Sequence, residues 1–209
     1  MMSDIDTLAS IVGDIGDTLD DKDTVRELAL KSSRTIERLS RQMIQKIHNG
    51  EASRELFNEA IQEVTKVKSI VEDYPELHHS GFLRNGFQEL AEAHILWAID
   101  KGEEPLSPKE LDITPDSYLI GLGDVVGELR RMILDSLING DIDGAKDLMK
   151  KMERIKDMLM DFDYPNAIVP IKHKQDIARD LVEKTRGDIA TYITNDKLRQ
   201  KMDDMLQRL

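Results

Sequence analysis

The stretch Phe87–Ile99, FQELAEAHILWAI, most constrains what this chain can fold into. Its only polar side chains are Gln88, Glu89, Glu92 and His94. A helix apolar on almost every side has to be buried on almost every side, so other elements must surround it. Those elements read as helices too. All six prolines (Pro75, Pro105, Pro108, Pro115, Pro165, Pro170) fall outside the segments with helical periodicity, where a proline would break the hydrogen-bond ladder. No alternating strand pattern competes with that periodicity.

The spacing of apolar residues predicts a helix over Asp4–Leu19, carried by Ile5, Leu8, Ile11, Val12, Ile15 and Leu19 and weakened by Gly13 and Gly16. Thr24, with Glu27 three residues on, reads as a capping box that starts a second helix, ended near His48 by Asn49 and Gly50. A third runs over Ser53–Val71 until Tyr74-Pro75, and a fourth over Ser80–Lys101. Thr114 as N-cap and Pro115 at the first helical position open the fifth, which reaches Asn139. The sixth spans Asp141–Asp161 on a seam of Leu148, Met152, Ile155 and Leu159. The seventh spans Ile171–Thr194, with Asn195 capping a short amphipathic tail to Leu209. The expected fold is all-α, a single domain over residues 1–209 built as an antiparallel bundle of about seven helices. Aromatics at 4% and ten methionines suit an aliphatic helical core.

With no cysteine, the chain has no disulfides, thiolate metal sites or cysteine nucleophiles. Any metal must be held by oxygen or imidazole. The acidic opening residues lack the basic leader of a secretory signal, and no run of eighteen apolar residues offers a membrane span, so a cytoplasmic protein with no membrane partner is expected.

The formal charge is −12, yet Val25–His48 carries six Lys or Arg against two Glu, a local net of +4. On a helical projection Val25, Leu28, Ile36, Leu39, Met43 and Ile47 share an arc of roughly 100°, and Lys31, Arg34, Arg38 and Arg41 share one of roughly 80° nearly opposite. Such a stripe has two readings: a solvated face paired with acidic neighbours, or a track for a phosphate backbone. The adjacent His78 and His79, close to Arg84, cannot share a helix face. They read as exposed or nucleic-acid-contacting groups rather than as a metal pair.

Two acidic pairs at one-turn spacing stand out. Glu89 and Glu92 share their arc with Leu96 and Ile99 and are expected to be partly buried, where an unpaired carboxylate is costly. His94 falls with Phe87, Leu90 and Ala98 and reads as a core histidine. Asp124 and Glu128, with Arg131 and Asp135, lie off the core arc of their helix (Tyr118, Leu122, Val125, Val126, Leu129, Met132, Ile133), which fits a wet face as well as a site. Gly121 and Gly127 border that acidic arc, at about 1 kcal/mol each against alanine, and favour close approach of a backbone or ligand.

GFQELAEA, followed by TPDSYLIGLGDVVGELRRMILDSLINGDID, resembles the translin family, and the translin-associated factor X branch more than translin itself. TVRELALKSSRTIERLSRQ is similar to that family's basic helix. The resemblance implies a seven-helix protomer, assembly into hollow octamers, and binding of RNA or single-stranded DNA; the partners expected here are single-stranded RNA and further copies of the chain in a homo-oligomer. Its factor X branch implies a Mg²⁺-dependent endoribonuclease, and the catalytic, metal-holding carboxylates fall on Glu89, Glu92, Asp124 and Glu128. The nucleic-acid-binding set falls on Lys31, Arg34, Arg38, Arg41, His78, His79 and Arg84. Hard carboxylate oxygens suit Mg²⁺ or Mn²⁺ better than zinc. Two other readings stand beside this one: a non-catalytic translin-like RNA-binding shell, and an all-α nucleotide pyrophosphohydrolase, which also builds a metal site from an E-x-x-E helix and a second acidic helix.

Overall fold

The computed structural model describes residues 4–51, 54–78 and 80–207. Among them are seven helices and no strand: α1 (Asp4–His48), α2 (Arg54–Ile70), α3 (Pro75–His78), α4 (Gly81–Lys101), α5 (Pro115–Ile138), α6 (Ile142–Met160) and α7 (Lys172–Leu206). The fold is all-α, and α4 sits at its centre, packed between α1 and α5. Helix α2 covers α1, while α6 and α7 pack on α5 and on each other. Phe87, Leu90, Ala91, Ala93, Leu96 and Ala98 of α4 are completely buried, as an all-round apolar helix requires.

Direction within the bundle follows the connections. Glu63 of α2 reaches back to Ser32 of α1, and Glu153 of α6 pairs with Arg186 of α7, so these short-looped pairs run antiparallel. The contacts along α4 and α5 advance together, Arg84 with Asp116 and Gln88 with Asp124. Those of α1 with α4 (Ser33 with Phe82, Arg41 with Glu89) and of α5 with α7 (Asp124 with Lys174, Arg130 with Thr185) do the same. The antiparallel expectation therefore describes the hairpins, while α1, α4, α5 and α7 share one direction.

Two helix boundaries differ from those expected. Thr24 does not cap a helix: its hydroxyl donates to the Asp20 carbonyl at 3.0 Å, one turn back, and α1 runs unbroken for 45 residues, about 67 Å at 1.5 Å per residue. Asn195 likewise lies inside α7, where the Thr194 hydroxyl donates to the Ala190 carbonyl at 2.9 Å. Neither junction contains a proline, so nothing forces the chain out of the helical ladder. Leu28 is 50% exposed, because the buried face of α1 turns through Ala29, Ser32, Ser33 and Ser40 instead. Ser33 explains the turn: its hydroxyl donates to the Phe82 carbonyl at 2.6 Å, and a Cβ on Gly86 would lie 2.8 Å from that hydroxyl, so α1 and α4 meet closely here. The starts of α5 and α6 behave as read, with Thr114 accepting from the Ser117 amide and Asp141 from the Gly144 amide.

Among the described residues no helix is long and apolar enough to cross a membrane.

Candidate acidic site

The site begins with a missing side chain. A Cβ on Gly121 would stand 2.6 Å from the Gln88 carbonyl oxygen, 2.8 Å from Ala91 Cβ and 3.0 Å from the Glu92 amide nitrogen. Any other residue would push α4 and α5 apart, and with glycine the two backbones touch. That contact fixes the register in which Glu92 of α4 comes within electrostatic reach of Asp124 and Glu128 of α5 as well as of Glu89 on its own helix. Asp124 and Glu128 are only 23% and 26% exposed, so they belong to this junction and not to a wet face. Gly127 has no comparable role, since its nearest neighbour, Leu181 Cδ1, is 4.0 Å away.

Three of the four carboxylates have a basic partner. Glu89 accepts from Arg41 through Nη2 at 3.0 Å and Nε at 3.3 Å. Asp124 pairs with the Lys174 ammonium and accepts from Gln88 Nε2 at 2.5 Å. Glu128 Oε2 lies 2.5 Å from Nε2 of His48, whose side chain is 3% exposed and whose Nδ1 is buried without a partner. Glu92 has no hydrogen-bond or ion-pair partner among the described residues. Burial first, then the neighbouring charges of Asp124, Glu89 and Glu128, push its carboxyl up to about 8 against the opposing pull of Lys174. At neutral pH it holds a proton. The site is thus a partly buried acidic cluster whose central member makes no ion pair of its own and is only partly offset by the charges of Lys174 and Arg41.

In this arrangement no three His, Asp or Glu side chains among the described residues stand at the spacing that holds a metal ion, because the outer acids are turned toward Arg41, Lys174 and His48. The donor set nevertheless fits a hard divalent cation: four carboxylates, no sulfur, and at their centre a carboxyl that makes no ion pair of its own. Such an ion would compete with Lys174 and Arg41 for the same oxygens.

The other expected residues scatter. Lys31, Arg34 and Arg38 lie exposed along α1, Arg38 donating weakly to Gln42 at 3.4 Å, whereas Arg41 at the end of the stripe is committed to Glu89. Arg84 pairs with Asp116 at 3.1 Å, and the His78 ring lies 6.1 Å from that of Phe87 in a tilted contact. His79 lies outside the described residues. His94 is a core histidine as read: it accepts from the Leu106 amide at 2.8 Å, stacks on Phe57, and burial holds it down at about 4.

His48, Gln88 and Lys174 were not among the expected site residues. His48 follows Arg34 and Arg41 at seven-residue steps, nearly two helical turns each, and could have been found as the last member of that line. Lys174 left a subtler trace in Gly123, where a Cβ would meet Lys174 Cβ at 2.9 Å.

Known proteins share both the sequence and this fold. The Translin family profile matches residues 24–209, which contain the whole acidic site. The chain belongs to the translin family. An uncharacterized protein of Methanocaldococcus jannaschii is 39% identical over 188 residues, covering 88% of this chain and 83% of that protein. Translin-associated protein X of Rattus norvegicus is 38% identical over 58 residues, 28% of this chain and 20% of that protein, so this likeness is local. Among solved structures, AfC3PO in complex with duplex RNA has a TM-score of 0.71 at 31% identity, covering 88% of this translin-family chain and 97% of its own. Apo-NeC3PO, at 22% identity and a TM-score of 0.67, shares the fold.

Proposed function

We propose that this translin-family chain is a Mg²⁺- or Mn²⁺-dependent endoribonuclease that hydrolyses phosphodiester bonds of single-stranded RNA, works as a homo-oligomer in the cytoplasm, and assembles into the octamer that the family resemblance implies. The observation that carries the reading is Glu92: a central carboxyl among three others, with no positive partner of its own. Such a group is satisfied by a proton or by a bound cation, and the second also relieves the repulsion among its neighbours. That the similar AfC3PO was solved with duplex RNA supports RNA as the ligand class. Strandedness is the finer part of the proposal and rests on the family resemblance.

Glu89, Glu92 and Asp124 would hold the ion, with Glu128 either a fourth ligand or the base that orients water. When bound, the ion would polarise a phosphoryl oxygen, activate a water and offset charge building up in the transition state. His48 fixes the orientation of Glu128 from a buried position on α1. Lys174 and Arg41 hold Asp124 and Glu89 in place and sit where a scissile phosphate would add negative charge. Arg34 and Arg38, exposed one to two turns before Arg41, continue a basic track along α1 from the site.

The test uses purified protein with labelled single-stranded RNA, single-stranded DNA and duplex RNA, with Mg²⁺, with Mn²⁺ and with EDTA. Cleavage of single-stranded RNA is expected only with the metal. Asp124→Asn should lower the rate by about a hundred-fold or more, the scale of losing a charge-stabilising group, while retaining RNA. RNA retained without cleavage by the wild type in either metal, or a wild-type rate from Asp124→Asn, overturns the assignment.

A further inference from the structure

The family profile begins at residue 24, yet α1 begins at Asp4. Every residue from Asp4 to Asp21 is exposed, so this first part of α1 is a helical arm that, among the described residues, packs on none of the core. The arm is not uniformly polar. Ile5, Leu8, Val12, Ile15 and Leu19 are 71%, 54%, 65%, 52% and 58% exposed, and they recur at alternating steps of three and four residues. That is the a/d spacing of a coiled-coil seam. Leaving such a seam in water is unfavourable, and its period matches another helix.

The charges decide what that other helix is. Residues 4–23 carry seven Asp and one Lys. Between Ile5 and Asp21 every acid (Asp6, Asp14, Asp17, Asp20, Asp21) falls at the b, c or f position of the heptad, away from the seam. The flanking e and g positions are Ala9, Gly16, Ile11 and Thr18, all uncharged. A basic partner helix would be read by acids at e and g, and there are none within this stretch. A membrane surface would need Lys or Arg on the polar face, where this arm has Asp. An identical arm meets neither obstacle: neutral flanks let two copies approach, Ala9 and Gly16 leave the backbones room, and the acids of both arms point outward.

We propose that residues 5–21 pair with the same residues of a second copy of this chain through the Ile5–Leu8–Val12–Ile15–Leu19 seam. A free peptide of this length would form too little helix to associate. Here the arm continues a helix already nucleated in the core, so its turns are propagated. The contact lies outside the family-matched residues and acts in addition to any interface made by them.

The chain has no cysteine, so single cysteines report the contact without background. In the full-length protein, Val12→Cys and, separately, Ile15→Cys are placed in the seam, and Asp17→Cys on the opposite face serves as control. Under mild oxidation at least one seam variant should yield a disulfide-linked pair at ten or more times the yield of the control. Adding Leu8→Glu to the linking variant should abolish the excess while the thermal midpoint stays unchanged, because no core residue is altered. Equal yields from seam and control, no linked pair from either seam variant, or an excess that survives Leu8→Glu overturns the proposal.

Discussion

Replacing Glu92 with glutamine removes the one carboxyl of the cluster that has no partner and keeps its shape. The folded chain holds this carboxyl at about 8 against an ordinary value of 4.5. Between those limits the native state carries a proton that the unfolded chain has released. A folded-state value raised above the unfolded one gives stability that is complete below pH 4.5 and is lost as pH climbs to about 8. The slope from this group is about 1.4 kcal/mol per pH unit, up to a limit of about 5 kcal/mol across the window. The introduced side-chain amide does not titrate, so Glu92→Gln should lack this slope. Urea unfolding of both proteins at pH 5, 6, 7, 8 and 9 in EDTA should show Glu92→Gln gaining on the wild type with each step and levelling off above pH 8. With Mg²⁺ added at pH 8, the wild type should recover stability, and the variant should recover far less. A difference between the two proteins that stays flat from pH 5 to 8 refutes the reasoning, because Glu92 would then not be buried among unbalanced carboxylates.

Reversing Arg34 and Arg38 to Glu should weaken binding of long RNA by about ten-fold or more near physiological salt and flatten its salt dependence, measured by filter binding. Hydrolysis of a free nucleotide, if that were the activity, would scarcely change under the same substitutions. Gly121→Ala places a methyl against the Gln88 carbonyl and should cost about 1–3 kcal/mol in urea unfolding. A neutral result would show that α4 and α5 are not in backbone contact. Thr24→Ala should change stability by less than about 0.5 kcal/mol, whereas loss of an N-cap costs about 1 kcal/mol. A full cap-sized loss would place a helix start at residue 24 after all.

The helices were legible because their signals are local. Thr114-Pro115 fixes a start within two residues of itself, and the apolar run Phe87–Ile99 dictates a central helix whatever surrounds it. Thr24 and Asn195 misled for the same local reason. A capping sequence is compatible with a helix interior when the preceding residues also favour helix, and only the hydroxyl's choice of the Asp20 carbonyl or the amide ahead decides. Burial of Glu92 could be read from Leu96 and Ile99 beside it. Its convergence with Asp124 came only from the family resemblance and not from periodicity, because it depends on how far α5 slides along α4, a quantity set by the contact at Gly121. Periodicity describes one helix at a time. Lys174 lay further out of reach, fifty residues from Asp124 on a helix whose docking involves Gly123.

The contact at Gly121 also determines which motions are open to the acidic cluster. Helices already touching through their backbones cannot close further, and a packed interior resists their being spread. Reshaping of the carboxylate cage therefore falls to side chains: the ammonium of Lys174 and the guanidinium of Arg41 can swing away on flexible stems while α4 and α5 stay still. Rotations of an exposed side chain such as Arg41 take picoseconds to nanoseconds, helix displacements microseconds or longer. A cation binding there, as proposed, would meet a rigid frame with movable counterions, and its entry would be an exchange of charges rather than a change of fold.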